Sequence, residues 1–164
     1  TSGKRSVNGK VTCLLTSALG LSPFMSGREN IKLACALYGL SRKETEAITP
    51  EINAFSELGS YLDLQTGTYS SGMRTRLGMS IITALDPDIL IIDEVFGAGD
   101  ASFSEKAQYK LMGMLEKSRI LMFSSHSDSL LRQLCDTAIL VDHGQIIGRG
   151  SVDEVLLQYK MVEI

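Results

Sequence analysis

The sequence predicts an α/β fold in which a mostly parallel sheet carries a helical subdomain, and three features predict it. Short apolar runs without alternation, ILII at 89–92, ILMF at 120–123 and AILV at 138–141, have the texture of strands buried on both faces of a parallel sheet. Segments of helical character near 104–118 and 128–135 separate those runs. Before them, residues 21–85 hold a succession of helix-start signals. At 164 residues the chain is about one domain's worth and long enough for a core. It contains no internal repeat, low-complexity segment or flexible linker, so the divisions are subdomains of a single domain: a strand and loop over 1–20, the helical part over 21–85, and a second core portion over 86–164.

In chain order, VTCLL from Val11 reads as the first strand. Ser26-Gly27-Arg28-Glu29 has the S-x-x-E spacing of a capping box, in which the serine caps a backbone N–H and the glutamate reaches back. A helix through IKLACALYG should follow and stop at Gly39. Ser41-Arg42-Lys43-Glu44 repeats the spacing. Pro50 is expected to interrupt that second helix, with Thr49-Pro50 starting a fresh one that continues to Gly59. After Tyr69, SSGMRTRLGMSIITAL places Met73, Leu77, Ile81 and Leu85 at helical spacing behind a Ser-Ser-Gly start. His143-Gly144 turns AILV into a hairpin with QIIGRG, and Ser151-Val152-Asp153-Glu154 is a third capping box opening the closing helix.

Composition narrows the classes. Hydrophobic residues are 44% and charged residues 21% of the chain, as in soluble globular domains. The net charge of -3 offers nucleic acid or an anionic membrane surface no electrostatic attraction. Cys13, Cys35 and Cys135 are odd in number and lack any C-x-x-C pairing, which fits small apolar residues in a reducing compartment. Lys4, Arg5 and Lys10 before VTCLLTSALGLS imitate a secretory signal, but Gly20, Pro23 and the capping box continue the segment into a folded domain. No apolar run approaches the ~20 residues of a membrane-spanning helix. The chain opens on Thr1 without an initiator Met, as a processed protein or a fragment would.

Chemistry concentrates at strand ends. PDILIIDEVFGAGD closes an apolar run on Asp93 and Glu94, and acids are seldom buried unless paired or coordinating. In open parallel sheets ligands bind beyond the carboxyl ends of the strands. Ser124, Ser125 and His126 follow ILMF in the same way. One carboxylate can hold Mg²⁺ through its waters while its neighbour takes a proton from an attacking water, and a histidine can contact a transferred phosphoryl group. These are the parts of a phosphoryl-transfer site. Ser70, Ser71 and Gly72 begin a helix, where N–H groups and the macrodipole favour an anion. Basic residues at 28, 32, 42, 43, 74 and 76 read as a solvated helix face, with Arg74 and Arg76 within possible reach of phosphate. His143 reads as a turn residue.

The ordered set YSSGMRTRLG, DPDILIIDE, GAGD and SSHS resembles the second half of an ABC transporter nucleotide-binding domain, a partial P-loop NTPase. The signature loop of that family is similar to Tyr69 through Met73, its Walker B strand to Ile89 through Asp93, its catalytic glutamate to Glu94, its D-loop to Gly97 through Asp100 and its switch histidine to His126. The resemblance implies ATP and Mg²⁺ as cofactors, with Asp93 serving the metal, Glu94 activating water, His126 sensing the γ-phosphate, and Ser70, Ser71, Gly72, Met73 and Asp100 meeting nucleotide across a subunit interface. SGRENIKL, GLSRKE, YSSGM, DPDILIIDEV and CDTAILVDHGQI resemble the ATPases that power export of O-antigen, capsule and teichoic-acid polymers, over about Val7 to Tyr159. Partners implied are a second ATPase subunit and a transmembrane permease docked on residues 21–85, with the protein on the cytoplasmic face of the cell membrane and no nucleic acid involved.

The phosphate-cradling pattern G-x-x-x-x-G-K-[ST] does not occur; Gly3-Lys4-Arg5 and Gly9-Lys10-Val11 only imitate its end. By the resemblance, the chain is an ATPase domain cut downstream of its P-loop helix, inactive alone. Thr16 stands where relatives carry Gln or Glu as a metal and water contact. Two other readings use the same motifs: a non-catalytic module donating its signature loop to a complete subunit, and the C-terminal half of a chromosome-maintenance ATPase head, which the lack of coiled-coil heptads disfavours.

Overall fold

One aspartate gathers the starts of three strands. The computed structural model describes residues 2–14, 20–93 and 101–162. In it the Asp88 carboxylate accepts from Lys10 N–H at 2.8 Å, its backbone N–H donates to the Lys10 carbonyl, and its own carbonyl accepts from the N–H groups of Arg119 and Ile120. From there run β1 (Val11–Leu14), β2 (Ile89–Asp93) and β3 (Ile120–Ser124), in a sheet of order β1-β2-β3. β1 and β2 are parallel, with Val11 opposite Ile89 and Leu14 opposite Ile92. Gly9 has φ 134°, and a Cβ there would stand 2.9 Å from the Asp88 Cβ. Glycine therefore meets both the left-handed backbone and the close approach.

The chain divides into two compact units, Thr1–Met122 and Phe123–Ile164. In the first, α1 (Gly27–Leu37) and α2 (Arg42–Ser56) each begin with a complete capping box, Ser26 with Glu29 and Ser41 with Glu44. α1 stops as the sequence predicts, with Gly39 at φ 79°. α2 departs from expectation: it is one helix through Pro50. The carbonyl that loses its partner belongs to Glu46, which is exposed, as is Pro50. Water can therefore reach that turn of the helix, and the helix does not have to break. Two 3₁₀ turns, Gly59–Asp63 and Thr66–Thr68, lead to α3 (Ser71–Thr83).

These helices share a core of Ile31, Cys35, Ile52, Leu58, Leu62, Tyr69, Leu77 and Ile81. Each fully buried large aliphatic contributes about 1.5–3 kcal/mol of transfer free energy. α3 is buried at Thr75 and continuously from Leu77 to Thr83, so its polar side chains need local partners. Ser80 Oγ donates to the Arg76 carbonyl and Thr83 Oγ1 to the Met79 carbonyl, 2.6 and 2.7 Å. Loop Ser22–Ser26 is held by Asn30, 2% exposed. Its Nδ2 donates to the carbonyls of Ser22, Met25 and Ser26, and its Oδ1 accepts from Ser22 N–H. α4 (Ala101–Lys117) completes the unit and buries Phe103, Ala107, Leu111 and Met114.

The second unit holds α5 (Asp128–Leu134), β4 (Thr137–Asp142), β5 (Gln145–Ser151) and α6 (Val152–Val162). β4 and β5 pair antiparallel as a separate two-stranded sheet. His143 (φ 45°) and Gly144 (φ 77°) form the turn, the paired positive φ of a tight hairpin. AILV therefore does not join the parallel sheet. Nor are β3 and β4 buried on both faces: exposed residues alternate along each. Their apolar composition matches that of β2, where Leu90 and Ile92 are buried; covering elements, rather than composition, make the difference. Ser151 and Glu154 form the third capping box at α6. The cysteines are free, with Cys35 buried and its thiol pushed up by burial. No helix among the described residues is long and apolar enough to cross a membrane.

Candidate functional site

Tyr69 and Ser70 set the start of α3. Tyr69 is 4% exposed, and its hydroxyl donates to the Tyr61 carbonyl at 2.6 Å. Burial pushes its phenol up, keeping it a neutral donor. Gly27 packs so closely against Tyr69 Oη and Leu62 that a Cβ would lie 2.6 Å from the hydroxyl. That contact fixes the residue before the cap. Ser70 Oγ then accepts from Met73 N–H at 3.2 Å. Ser71 and Gly72 occupy the first turn, whose amides no preceding helical carbonyl can satisfy, and Ser70 and Ser71 are exposed. A Cβ at Gly72 would meet nothing nearer than Ser70 Oγ at 3.9 Å. The turn is thus open to an approaching anion. The Met73 side chain instead packs on the helical core.

The two arginines expected near phosphate are engaged elsewhere. Arg74 Nη1 donates to the Tyr69 carbonyl at 2.6 Å, which braces the cap from behind. Arg76 Nη1 donates to Glu57 Oε2 at 2.7 Å. Both are half-buried rather than a solvated face. Arg28 pairs with Asp63 and Arg42 with Glu46 at the surface.

Asp93 ends β2 and is exposed. A solvent-facing carboxylate at a strand terminus suits a hard cation that keeps most of its waters. No group of three or more His, Cys, Asp or Glu arranged to hold a metal occurs among the described residues. Glu94, the segment Gly97–Asp100 including Asp100, and Thr16 lie outside the described residues. His126 follows β3, is exposed, and belongs to the second unit between Ser125 and Ser127. Ser127 caps α5 by accepting from Leu130 N–H. The structure thus gathers Ser70, Ser71 and Gly72 on one turn and puts Asp93 at the end of the strand paired with β1. Asp88 and Glu57 are not marked by any local motif, since their side-chain partners lie 78, 19 and 49 residues away in the chain.

No protein-family model matches the chain. Over 160 residues it is 39% identical to the O-antigen export system ATP-binding protein RfbB of Myxococcus xanthus. It is 38% and 37% identical to the teichoic acids export ATP-binding proteins TagH of Enterococcus faecalis and Lactococcus lactis. Each match covers 98% of this chain but only 37%, 36% and 34% of the relative, so the chain spans about a third of their length. Among solved structures, an ATP-binding subunit of an ABC transporter superposes with TM-score 0.69 at 22% identity, over 92% of this chain and 62% of that one. A dimeric ATP-binding cassette in a post-hydrolysis state with ADP and Pi gives 0.63 at 19%, over 87% and 63%. The chain is homologous to the ATP-binding subunits of polysaccharide and teichoic-acid export ABC transporters, and its parallel core sheet with a helical subdomain is the ABC ATPase fold.

Proposed function

We propose that this chain is the signature and hydrolytic portion of an ATPase subunit of an ABC transporter that exports a cell-surface polysaccharide of O-antigen, capsule or teichoic-acid type. The observation that carries the reading is the open first turn of α3, on a chain 37–39% identical throughout to export ATP-binding proteins. In this reading Ser70, Ser71 and Gly72 offer N–H groups, the serine hydroxyls and a side-chain-free approach to the phosphates of a nucleotide bound on a second ATPase subunit. Asp93 would be the residue to hold Mg²⁺, which when bound would supply charge neutralisation at the phosphoryl oxygens. Glu94 accepts a proton from the attacking water, His126 contacts the phosphoryl group, and Asp100 and Met73 lie beside the subunit interface. Residues 21–85 meet a permease, which keeps the subunit at the cytoplasmic face of the membrane. The phosphate-cradling loop is not among these 164 residues, so they serve a complete site only together with the rest of such a subunit.

Gly72→Asp in the full-length protein is the test. The open space around Gly72 lets a side chain enter without a clash in the monomer, whereas a carboxylate there repels a phosphate. ATP-driven dimerisation, read by light scattering in a Glu94→Gln background, is expected to disappear while ATP binding and thermal stability persist. Glu94→Gln alone should lower turnover by about 100 to 10,000-fold, the usual contribution of a general base. Equal dimerisation with and without Gly72→Asp would leave the Ser-Ser-Gly start as an ordinary helix cap.

A further inference from the structure

Glu57 sits where a glutamate is unfavourable. It is the C-cap of α2 with φ 57° and ψ 25°, a left-handed conformation in which glycine carries no penalty and other residues do. Its carboxylate is divided between two other helices. Oε2 accepts from Arg76 Nη1 of α3 at 2.7 Å and Oε1 from Lys106 Nζ of α4 at 2.6 Å. Both cations hold the carboxyl below the usual carboxylate range, Lys106 first. The junction has an apolar floor: the Arg76 guanidinium lies 5.0 Å over the Phe103 ring, and Phe103 packs 5.5 Å from Phe55 of α2. A second strut runs beside it, with Lys110 Nζ 2.6 Å from Glu51 Oε1 and 4.5 Å over the Phe55 ring. The Arg76 side chain is 21% exposed while Glu57 and Lys106 are 44% and 58% exposed, so the α3 arm of the clamp is the better shielded from water and the α4 arm is screened like other surface pairs.

We infer that Glu57 is a positioning residue: it clamps the helix that begins at Ser70–Gly72 to α4, the helix that follows β2 and its terminal Asp93, so that the two move as one body. The inference rests on the functional reading above. Arg76 lies in the second turn of α3 and Lys106 in the second turn of α4, each close to its helix's first residue. A single carboxylate therefore transmits displacement of one helix start to the other. An ordinary surface ion pair explains neither the backbone conformation accepted at position 57 nor the bridging of two helices by one side chain. Transfer of the γ-phosphoryl group from ATP to water, with ADP leaving, at a site shared by two subunits needs its contacts closely placed, and this clamp braces the spacing between α3 and α4.

Glu57→Gly separates positioning from stability, because glycine relieves the left-handed backbone while deleting the clamp. In the full-length protein it is expected to lower kcat for ATP at least about 10-fold, as misplacement of catalytic contacts does. KM should stay within about twofold and the thermal midpoint should hold or rise. Glu57→Gln, which can accept from only one of the two cations at full strength, should fall between. Wild-type kcat in both variants would overturn the proposal. Hydrogen exchange makes the result independent of the ATPase reading. Release of the clamp should raise exchange in the opening turns of α3 and α4 together, and a change confined to the end of α2 would overturn the proposal. If wild type lacked ATP turnover altogether, the functional reading would fail and exchange alone would decide the clamp.

Discussion

At the residue scale, three glutamates tie helix starts to pH. Glu29, Glu44 and Glu154 each accept from the N–H and hydroxyl of the serine three residues earlier. These bonds hold all three carboxyls below the ordinary glutamate range: the backbone N–H of Ser26 leads for Glu29, and the hydroxyls of Ser41 and Ser151 lead for the others. A carboxyl with a lower pKa in the folded chain stabilises it above the unfolded value of about 4.3 and loses that contribution as pH falls through the folded value. The thermal midpoint should therefore drop as pH is lowered from about 5 through the depressed values. Glutamine at the same positions keeps the box but cannot titrate, so a triple Glu→Gln variant should show a shallower drop, with Glu57 still contributing its share. Parallel curves for wild type and variant would mean these boxes are unformed in solution. Their S-x-x-E pattern was legible because four consecutive residues make every contact. The Ser-Ser-Gly start was legible for the same reason.

Element by element, what could not be read is what depends on distant partners. Asp88 reaches a partner 78 residues away, and Glu57 partners 19 and 49 away. None of these follows a local pattern. The apolar run AILV was indistinguishable from ILII in texture, yet one forms a hairpin with an exposed face and the other a buried parallel strand. Pro50 departs in the opposite sense, since the local rule yields where the proline and the residue four before it lie on an exposed turn of the helix. Asn30 shows how much a single buried amide can govern. Its amide donates to three carbonyls and Thr66 Oγ1 from a position 2% exposed. Asn30→Asp keeps the shape but places a carboxylate against those carbonyls. We expect denaturant titration to show a loss of about 3–5 kcal/mol, the range for an uncompensated buried charge. A loss below about 1 kcal/mol would mean water already shares those bonds.

For the molecule as a whole, the two units differ in how much core each owns. Thr1–Met122 buries the helical cluster together with Leu90, Ile92, Phe103 and Leu111, whereas among the described residues of Phe123–Ile164 the buried hydrophobics are Val152, Val155 and Leu156. On β4 and β5, Ile139, Val141, Ile146 and Ile147 are 48–65% exposed. A unit of about forty residues is near the limit at which a core alone sustains a fold. The pairs Arg132–Asp153 and Lys160–Asp128 tie α5 to α6 at the surface, where screening by water leaves them little strength. Local opening should therefore begin in the second unit. Native-state hydrogen exchange on this chain is expected to protect amides of Leu77–Thr83 and Leu90–Ile92 on the order of 100-fold more than those of Ile139–Val141. Equal protection throughout would show that both units unfold as one cooperative body. Under the proposed function such a gradient would matter, because His126 belongs to the second unit and Ser70–Gly72 to the first. Elements that must move during a reaction cycle are drawn from the low-stability end of a fold. Added Mg-ATP in the full-length protein should accordingly slow exchange around β3 and His126 by a larger factor than within α3, and the reverse order would assign the moving part to the helical block.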